Sequence, residues 1–172
     1  MIITISGRPG SGKSTVSKLV AKKMNLKHYS TGDFMRLMAS NRKLSLLELS
    51  KLAETDSSID EELDERQRSL ALNEDDFVID ARLAFYFIPF SFKVFLQVSE
   101  EVAANRISGR ETLTKQEALE KTRERLNSEH KRYLDLYNVN YEDKKHFNLV
   151  INTDDKLPDE IAQIIQDSAK SL

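Results

Sequence analysis

Short apolar runs alternate along the chain with longer segments whose apolar residues recur every three or four positions. Residues 2–6 (IITIS) form the first run, and residues 13–24 then carry apolar side chains on one face of a helix. Later segments with the length and composition of strands are residues 27–29, 77–79, 92–98 and 149–151. Because strands that alternate with helices favour a parallel sheet covered on both faces, the pattern predicts an α/β fold with a five-stranded parallel sheet flanked by helices.

Two long polar segments interrupt this alternation. Residues 33–72 have no strand pattern, and their helical patterns break near Asn41 and Asp56, which predicts a helical insertion in the sheet. Residues 112–141 carry apolar side chains at mixed helical spacings, and we interpret them as one or two helices that cover the functional site. Pro158 precedes an acidic pair and a regular apolar face, which is typical of the start of a final helix.

Composition limits the class of protein further. A chain of 172 residues, 40% of them hydrophobic, suits a single domain with one core. The formal net charge of −2 argues against stable binding to nucleic acid, and the absence of cysteine excludes disulfides, thiolate metal sites and a cysteine nucleophile. The longest apolar run, residues 84–90, is too short to cross a membrane, and the N-terminus lacks the pattern of a signal peptide. We therefore expect a cytoplasmic protein without a membrane partner. We also expect a monomer, although nothing in the composition decides the oligomeric state.

The turn between the first strand and the first helix carries a phosphate-binding motif. Residues 7–14 (GRPGSGKS) match G-x-x-x-x-G-K-[ST] in the strand–loop–helix context that the motif requires. Backbone N–H groups of such a loop face phosphate oxygens, Lys13 is predicted to reach the β- and γ-phosphates of ATP, and Ser14 to supply a hydroxyl to Mg²⁺. The predicted nucleotide-binding residues here are Gly7, Arg8, Pro9, Gly10, Ser11, Gly12, Lys13, Ser14 and Thr15. A turn that only joined strand to helix would need neither the lysine nor the hydroxyl.

Two segments near the ends of predicted strands carry further candidate residues. Asp80 ends an apolar strand, where a carboxylate either reaches waters on Mg²⁺ or caps the segment that follows. Residues 30–36 (STGDFMR) combine a glycine turn, an acid at a helix start and Arg36 one turn into that helix. Arg36 therefore lies near the edge of the sheet where ligands of open α/β sheets collect.

The order of these motifs resembles that of the nucleoside monophosphate kinases, and in particular the short, archaeal-type cytidylate kinases. Residues 30–36 are similar to the element that opens the acceptor domain of these enzymes, and residues 77–82 (FVIDAR) to their strand-end D/E-G-R element. Residues 105–110 (NRISGR) are similar to a lid opening, and residues 122–133 (TRERLNSEHKRY) resemble the T-R-E-R…S-E-x-K-R-Y stretch of the family. Residues 59–67 resemble its acceptor-domain helix, and residues 89–96 its next strand.

This resemblance implies a particular domain organisation and chemistry. The whole chain, residues 1–172, would be one P-loop kinase domain, with an acceptor-binding insertion at residues 33–72 and a lid at residues 106–132. Transfer of a γ-phosphoryl group spreads negative charge over the moving oxygens, so catalysis depends on positioning and on cationic side chains. The implied catalytic residues are Lys13, Arg82, Arg110, Arg125 and Arg132. Histidines are not needed, and we interpret all three as structural or exposed.

The resemblance also assigns binding roles. Arg36 and Arg82 would hold the acceptor phosphate, and Arg106 would stack on the donor base. Arg110 would contact the donor phosphates, while Arg125 and Arg132 would clamp both phosphate groups from the lid. Thr31, Gly32 and Asp33 would belong to the acceptor site. Glu129 shares a helical face with Arg125 and Arg132, and it either holds both arginines in register or forms an ordinary surface ion pair.

The expected acceptor is CMP or dCMP. Asp60, Asp64 and Gln67 fall on one face of a helix, where a carboxylate would accept a hydrogen bond from the cytosine amino group and repel the uracil carbonyl. The alternative is that all three lie on the solvated side of an acidic helix. Ala81 stands where the family has glycine, and bulky residues such as Phe85 follow it; the resemblance implies that this bulk lies beside the acceptor base and alters which base fits. Other functions still open are adenylate kinase, kinase of another small acceptor, and a non-catalytic nucleotide-binding module.

Overall fold

The predicted strands form one parallel sheet in the computed structural model, which describes residues 1–171. They are β1 (Ile2–Gly7), β2 (Lys27–Ser30), β3 (Phe77–Asp80), β4 (Phe92–Gln97) and β5 (Leu149–Asn152). Their order is β2-β3-β1-β4-β5, and every neighbouring pair is parallel. The prediction of a five-stranded parallel sheet is therefore confirmed, and β1 delivers its glycine loop to the middle of the carboxyl edge.

The intervening polar segments are helical. The helices are α1 (Lys13–Met24), α2 (Thr31–Asn41), α3 (Leu46–Leu52), α4 (Ser58–Asn73), α5 (Ala84–Phe87), α6 (Glu100–Glu111), α7 (Lys115–Tyr137) and α8 (Pro158–Lys170), with a 3₁₀ turn at Lys144–His146. The insertion breaks into α2, α3 and α4 near the predicted positions. Residues 112–141 form mainly one long helix, because a capping box of Thr114 and Glu117 starts α7 and the chain continues without a break to Tyr137. None of these helices is long and apolar enough to cross a membrane.

The apolar residues of the central strands are buried on both faces of the sheet. On one face Ile3, Ile5 and Val94 pack with side chains of α1 and α8. On the other, Ile79 and Phe95 pack with residues of α5, α7 and the loop that follows α7. Burial on both faces is typical of a parallel sheet and leaves its carboxyl edge as the open side.

The insertion has a small apolar core of its own. Leu49 and Ile59 are fully buried there, and Met35 and Met38 from α2 pack against them. This core keeps α2, α3 and α4 together as a unit beside the main sheet.

The apolar run at residues 84–90 is the main local feature that sequence patterns did not predict. It begins with the short helix α5. The strand β4 starts at Phe92, as the apolar pattern predicts, and the start at Pro89 that the resemblance implied is wrong. Phe85 is buried in the core. Its ring stacks on the ring of His146 with a centroid distance of 5.1 Å, and its centroid lies 4.8 Å from that of the Phe147 ring. The expectation that Phe85 lies beside the acceptor base is therefore corrected: its bulk fills the core.

Candidate active site

A cavity of about 730 Å³ lies at the carboxyl edge of the sheet, between the glycine loop, the insertion and helices α6 and α7. Residues 9–15 of the loop line it. From α2 and α4 it receives Thr31, Gly32, Arg36, Asp60, Asp64 and Gln67. From β3 and the residues after it come Asp80, Ala81 and Arg82, and from α6 and α7 come Arg106, Arg110, Arg125 and Arg132. Most of the candidate residues, distant in sequence, thus surround one space.

The loop requires glycine for its backbone path. Gly10 and Gly12 have φ of 78° and 86°, a region that side chains disfavour. A Cβ on Gly10 would also lie 2.8 Å from Cα of Ala103, so α6 packs directly on the loop. Lys13 Nζ donates to the carbonyl oxygens of Gly7 at 2.7 Å and Arg8 at 2.8 Å. Burial, together with the nearby Arg82, lowers the pKa of Lys13.

Asp80 is the acceptor of a small network beneath the loop. Its Oδ2 accepts hydrogen bonds from Ser14 Oγ at 2.8 Å and from Ser30 Oγ at 2.9 Å, while His28 Nε2 lies 2.6 Å from Oδ1. Although burial opposes ionisation, hydrogen bonds from His28, Ser14 and Ser30 lower the pKa of Asp80. The carboxylate is therefore charged, and it is tied to the hydroxyl of the loop.

Glu129 joins two of the predicted arginines. Arg82 Nε donates to Oε2 at 2.8 Å, and Arg125 Nε donates to Oε1 at 2.9 Å. Arg82 also donates to the carbonyl oxygen of Gly7 at 3.0 Å, which fixes the guanidinium beside the loop. Burial would raise the pKa of Glu129, but the charges of Arg82 and Arg125 lower it to about 2. Two cations share one buried anion, so the cluster keeps an excess of positive charge.

Arg132 is bound differently from the expectation that Glu129 holds it. Its Nε donates to Asp60 Oδ2 at 2.8 Å, and both side chains are only 4% exposed. The same guanidinium donates to the carbonyl and hydroxyl oxygens of Ser50 at 3.1 and 3.0 Å. Arg132 therefore links α7 to the insertion. Asp60, predicted as a residue that recognises the base, is instead the counter-ion of this arginine.

Three predicted site residues lie away from the cavity lining, and their roles are corrected accordingly. Asp33 is exposed and binds Arg36, so it positions that arginine instead of contacting a ligand itself. Arg8 turns away from the cavity and forms a two-point ion pair with Glu142, one bond of which measures 2.9 Å. The carbonyl oxygen of Gly7 accepts hydrogen bonds from Lys13 and Arg82. A Cβ at this position would lie 2.4 Å from the carbonyl oxygen of Leu96 in β4, so the residue has no room for a side chain.

The remaining arginines differ in how firmly they are held. Arg106 donates to the carbonyl oxygen of Gly10 at 3.2 Å and to that of Thr153 at 2.7 Å, so it bridges the loop and the segment after β5. Arg36 and Arg110 line the cavity with side chains that are 57% and 69% exposed. Arg36 pairs with Asp33 and Arg110 pairs with Glu111, and exposed ion pairs of this kind are weak enough to give way to the phosphates of a ligand.

Several residues of the site were missed from the sequence. His28, which we interpreted as structural or exposed, contacts Asp80. This contact follows from the register of β2 beside β3, which places Ser30 opposite Asp80 and which the sequence alone does not show. Tyr137 donates a hydrogen bond to Asp64, and Glu142 binds Arg8. Within residues 1–171 no group of three or more acidic or histidine side chains is arranged to hold a metal ion.

The fold and the site together define a P-loop kinase. A parallel sheet, a glycine loop before α1, an acid at the end of the neighbouring strand and converging arginines are the parts that phosphoryl transfer requires. The structure of shikimate kinase from Aquifex aeolicus has the same fold, with a TM-score of 0.63 and 19% identity over 99% of this chain and 97% of that one.

The family is more specific. The chain belongs to the cytidylate kinase-like family, whose model matches residues 2–155. It is 36% identical over 172 residues to a cytidylate kinase of Methanobrevibacter smithii, covering 100% of both chains. It is 40% identical over 168 residues to a cytidylate kinase of Sulfurisphaera tokodaii, covering 96% of this chain and 93% of the relative. The resemblance noted in the sequence is confirmed.

Proposed function

We propose that this protein transfers the γ-phosphoryl group of ATP to CMP or dCMP, giving ADP and CDP or dCDP. The observation that carries the proposal is the single cavity, which runs from the glycine loop to the acidic face of α4 and is lined by cations from α1, α2, α6 and α7 and from the segment after β3. Two phosphate-bearing ligands placed end to end need this arrangement. The relatives named cytidylate kinase support the choice of acceptor.

The cavity lining supplies the cationic side chains that the transfer needs. An oxygen of the acceptor phosphate attacks the γ-phosphorus, and the bond from that phosphorus to the β,γ-bridging oxygen breaks, so that ADP leaves with the electron pair. The attacking oxygen is already anionic, and therefore no general base is required. Lys13, Arg82 and Arg125 stabilise the charge that develops on the transferring group, and Arg36 and Arg110 close on the acceptor and donor phosphates.

Mg²⁺ fits the site as a partner of the ATP phosphates. The hydroxyl of Ser14 and the charged carboxylate of Asp80 lie 2.8 Å apart, and oxygen ligands of this kind suit a hard cation. Ser14 would bind the ion directly and Asp80 through its waters. Bound there, Mg²⁺ would neutralise charge on the β- and γ-phosphates.

A panel of acceptors tests the proposed function. ADP release is measured with CMP, dCMP, UMP, GMP, AMP and shikimate at fixed ATP. We expect the highest kcat/KM with CMP or dCMP, because the polar face of α4 accepts hydrogen bonds and a mismatched base edge leaves buried groups unpaired. AMP equal to or better than CMP would make the enzyme an adenylate kinase, and release with none of these acceptors would contradict the proposal.

We also propose that the insertion at residues 33–72 and the lid at residues 106–132 close over the two substrates, and that the protein acts as a monomer, since one chain supplies all of the cavity. Contacts from Arg132 to Asp60 and Ser50 already join the two regions. Closure excludes water that would otherwise hydrolyse ATP.

Hydrogen exchange checks this motion. Exchange in both regions should slow when a bisubstrate analogue, cytidine and adenosine joined by a pentaphosphate, is added, because phosphates then lie between the exposed arginines of both regions. ATP alone, as the control, should protect mainly the glycine loop. Equal exchange with and without the analogue would argue against a moving lid.

A further inference from the structure

Two residues of α4 that line the cavity, Asp64 and Gln67, each carry a side-chain oxygen that lacks a donor. Gln67 is only 3% exposed, and its Nε2 donates to the carbonyl oxygen of Leu63 at 3.2 Å. A backbone carbonyl can only accept, so this contact fixes the orientation of the amide and leaves Oε1 as the free end. Oε1 has no hydrogen-bond partner within residues 1–171. A buried acceptor of this kind is costly unless a ligand supplies the donor.

Asp64 lies one turn earlier on the same face and is 5% exposed. Its Oδ2 accepts a hydrogen bond from the hydroxyl of Tyr137 on α7. The other oxygen, Oδ1, meets no donor in the described part of the chain, and the residue lines the cavity. Asp60, the third polar residue of this face, is already neutralised by Arg132.

We propose that Asp64 and Gln67 form the acceptor-base subsite, which selects a 4-amino pyrimidine over a 4-oxo pyrimidine, with Tyr137 as the positioning residue of Asp64. This inference rests on the proposed function. The amino group of cytosine carries two hydrogens and can donate to both free oxygens. Uracil presents a carbonyl oxygen at the same place. This oxygen can only accept hydrogen bonds, so neither it nor the free oxygens of Asp64 and Gln67 would find a donor, which is costly in a buried site.

The chemistry of Asp64 adds a dependence on pH. A protonated carboxyl becomes a donor, and it then suits the uracil carbonyl better than the cytosine amino group. Burial raises the pKa of Asp64 to about 6, against the opposing hydrogen bond from Tyr137. Discrimination against UMP should therefore be full well above pH 6 and should weaken as pH falls below it.

The titratable and charged groups around Asp64 determine where this change occurs. Those on its own helix are Asp60, Glu61 and Arg68; those on other elements are Tyr137 and Arg132 on α7 and Arg36 across the cavity on α2. Asp60 and Glu61 favour protonation of Asp64, and Arg68 opposes it. The guanidinium of Arg68 stacks on the ring of Phe87 in α5, which holds its charge in place.

The test compares kcat/KM for CMP and UMP between about pH 5 and about pH 8, together with nucleotide binding by calorimetry in the absence of ATP. For the wild-type chain the CMP to UMP ratio should fall about tenfold over this range, as the ionised fraction of Asp64 falls. Asp64→Asn should lower the ratio by about 10- to 100-fold at high pH and abolish its pH dependence, since the amide can donate to uracil at every pH. Glu65→Gln, an exposed change on the same helix, is the matched control and should leave the ratio unchanged.

The variant Tyr137→Phe tests whether Tyr137 positions the carboxylate of Asp64 or only supports the structure. Removing the hydroxyl deletes a bond that favours ionised Asp64, so the midpoint of the CMP to UMP ratio should move to higher pH. An unmoved midpoint, or an unchanged ratio in active Asp64→Asn enzyme, would overturn the inference. A wild-type enzyme that does not phosphorylate CMP would instead overturn the proposed function, so the two failures are separate results.

Discussion

Replacement of Lys13 by alanine is expected to lower turnover by about 100- to 1,000-fold and to leave the fold intact. The ammonium group is held over the loop by the carbonyl oxygens of Gly7 and Arg8, at 2.7 and 2.8 Å. Its attraction for the γ-phosphoryl oxygens grows as charge develops during transfer, so its loss affects kcat more than substrate binding. Turnover with saturating ATP and CMP measures the effect.

The matched control is Lys18→Ala, since Lys18 is an exposed lysine of the same helix. It should retain wild-type turnover, and both variants should unfold cooperatively by circular dichroism. Near wild-type turnover in folded Lys13→Ala protein would contradict the assignment of residues 7–14 as a functional phosphate loop.

Glu129→Gln is expected to destabilise the protein by about 3 kcal/mol at neutral pH and to lower kcat about 10- to 100-fold. Glutamine keeps the shape of the side chain but removes the charge that Arg82 and Arg125 share at 2.8 and 2.9 Å. The largely buried guanidinium of Arg82 and the partly exposed one of Arg125 then lose their shared counter-ion, and the ion pairs that help to orient them beside the glycine loop are removed. Urea unfolding gives the loss of stability, and ADP release gives the loss of turnover.

The effect of Glu129 on stability should depend on pH in a defined direction. The pKa of Glu129 is lowered from 4.5 to about 2 in the folded chain. The stabilisation it provides is therefore present above about pH 4.5 and is lost as pH falls toward 2. The difference in unfolding free energy between wild type and Glu129→Gln should shrink over that range. Glu124→Gln, an exposed change on α7, should cost less than about 1 kcal/mol at every pH; a constant difference for Glu129→Gln would contradict its role as a buried counter-ion.

Helical spacing predicts contacts within one helix but not contacts between helices, as the charged residues of α7 show. The spacing correctly placed Arg125 beside Glu129, because residues four apart on a helix face the same side. It could not show that Arg132 turns to Asp60, which is 72 residues away, or that Arg82 takes the second oxygen of Glu129 across 47 residues. Both pairs depend on how α7 packs against the insertion and the sheet.

The sequence by itself determined the elements and the chemistry that local spacing encodes. Apolar periodicity specified the strands and most helices. The run from Gly7 to Ser14 predicted a phosphate loop, because a strand, a glycine turn and a helix start lie next to one another in the chain. Only the tertiary structure decided which carboxylate faces which arginine, that His28 meets Asp80, that Phe85 fills the core, and that Tyr137 reaches Asp64. These contacts form between distant elements, and their energies depend on burial and on ångström-scale separations that no local pattern records.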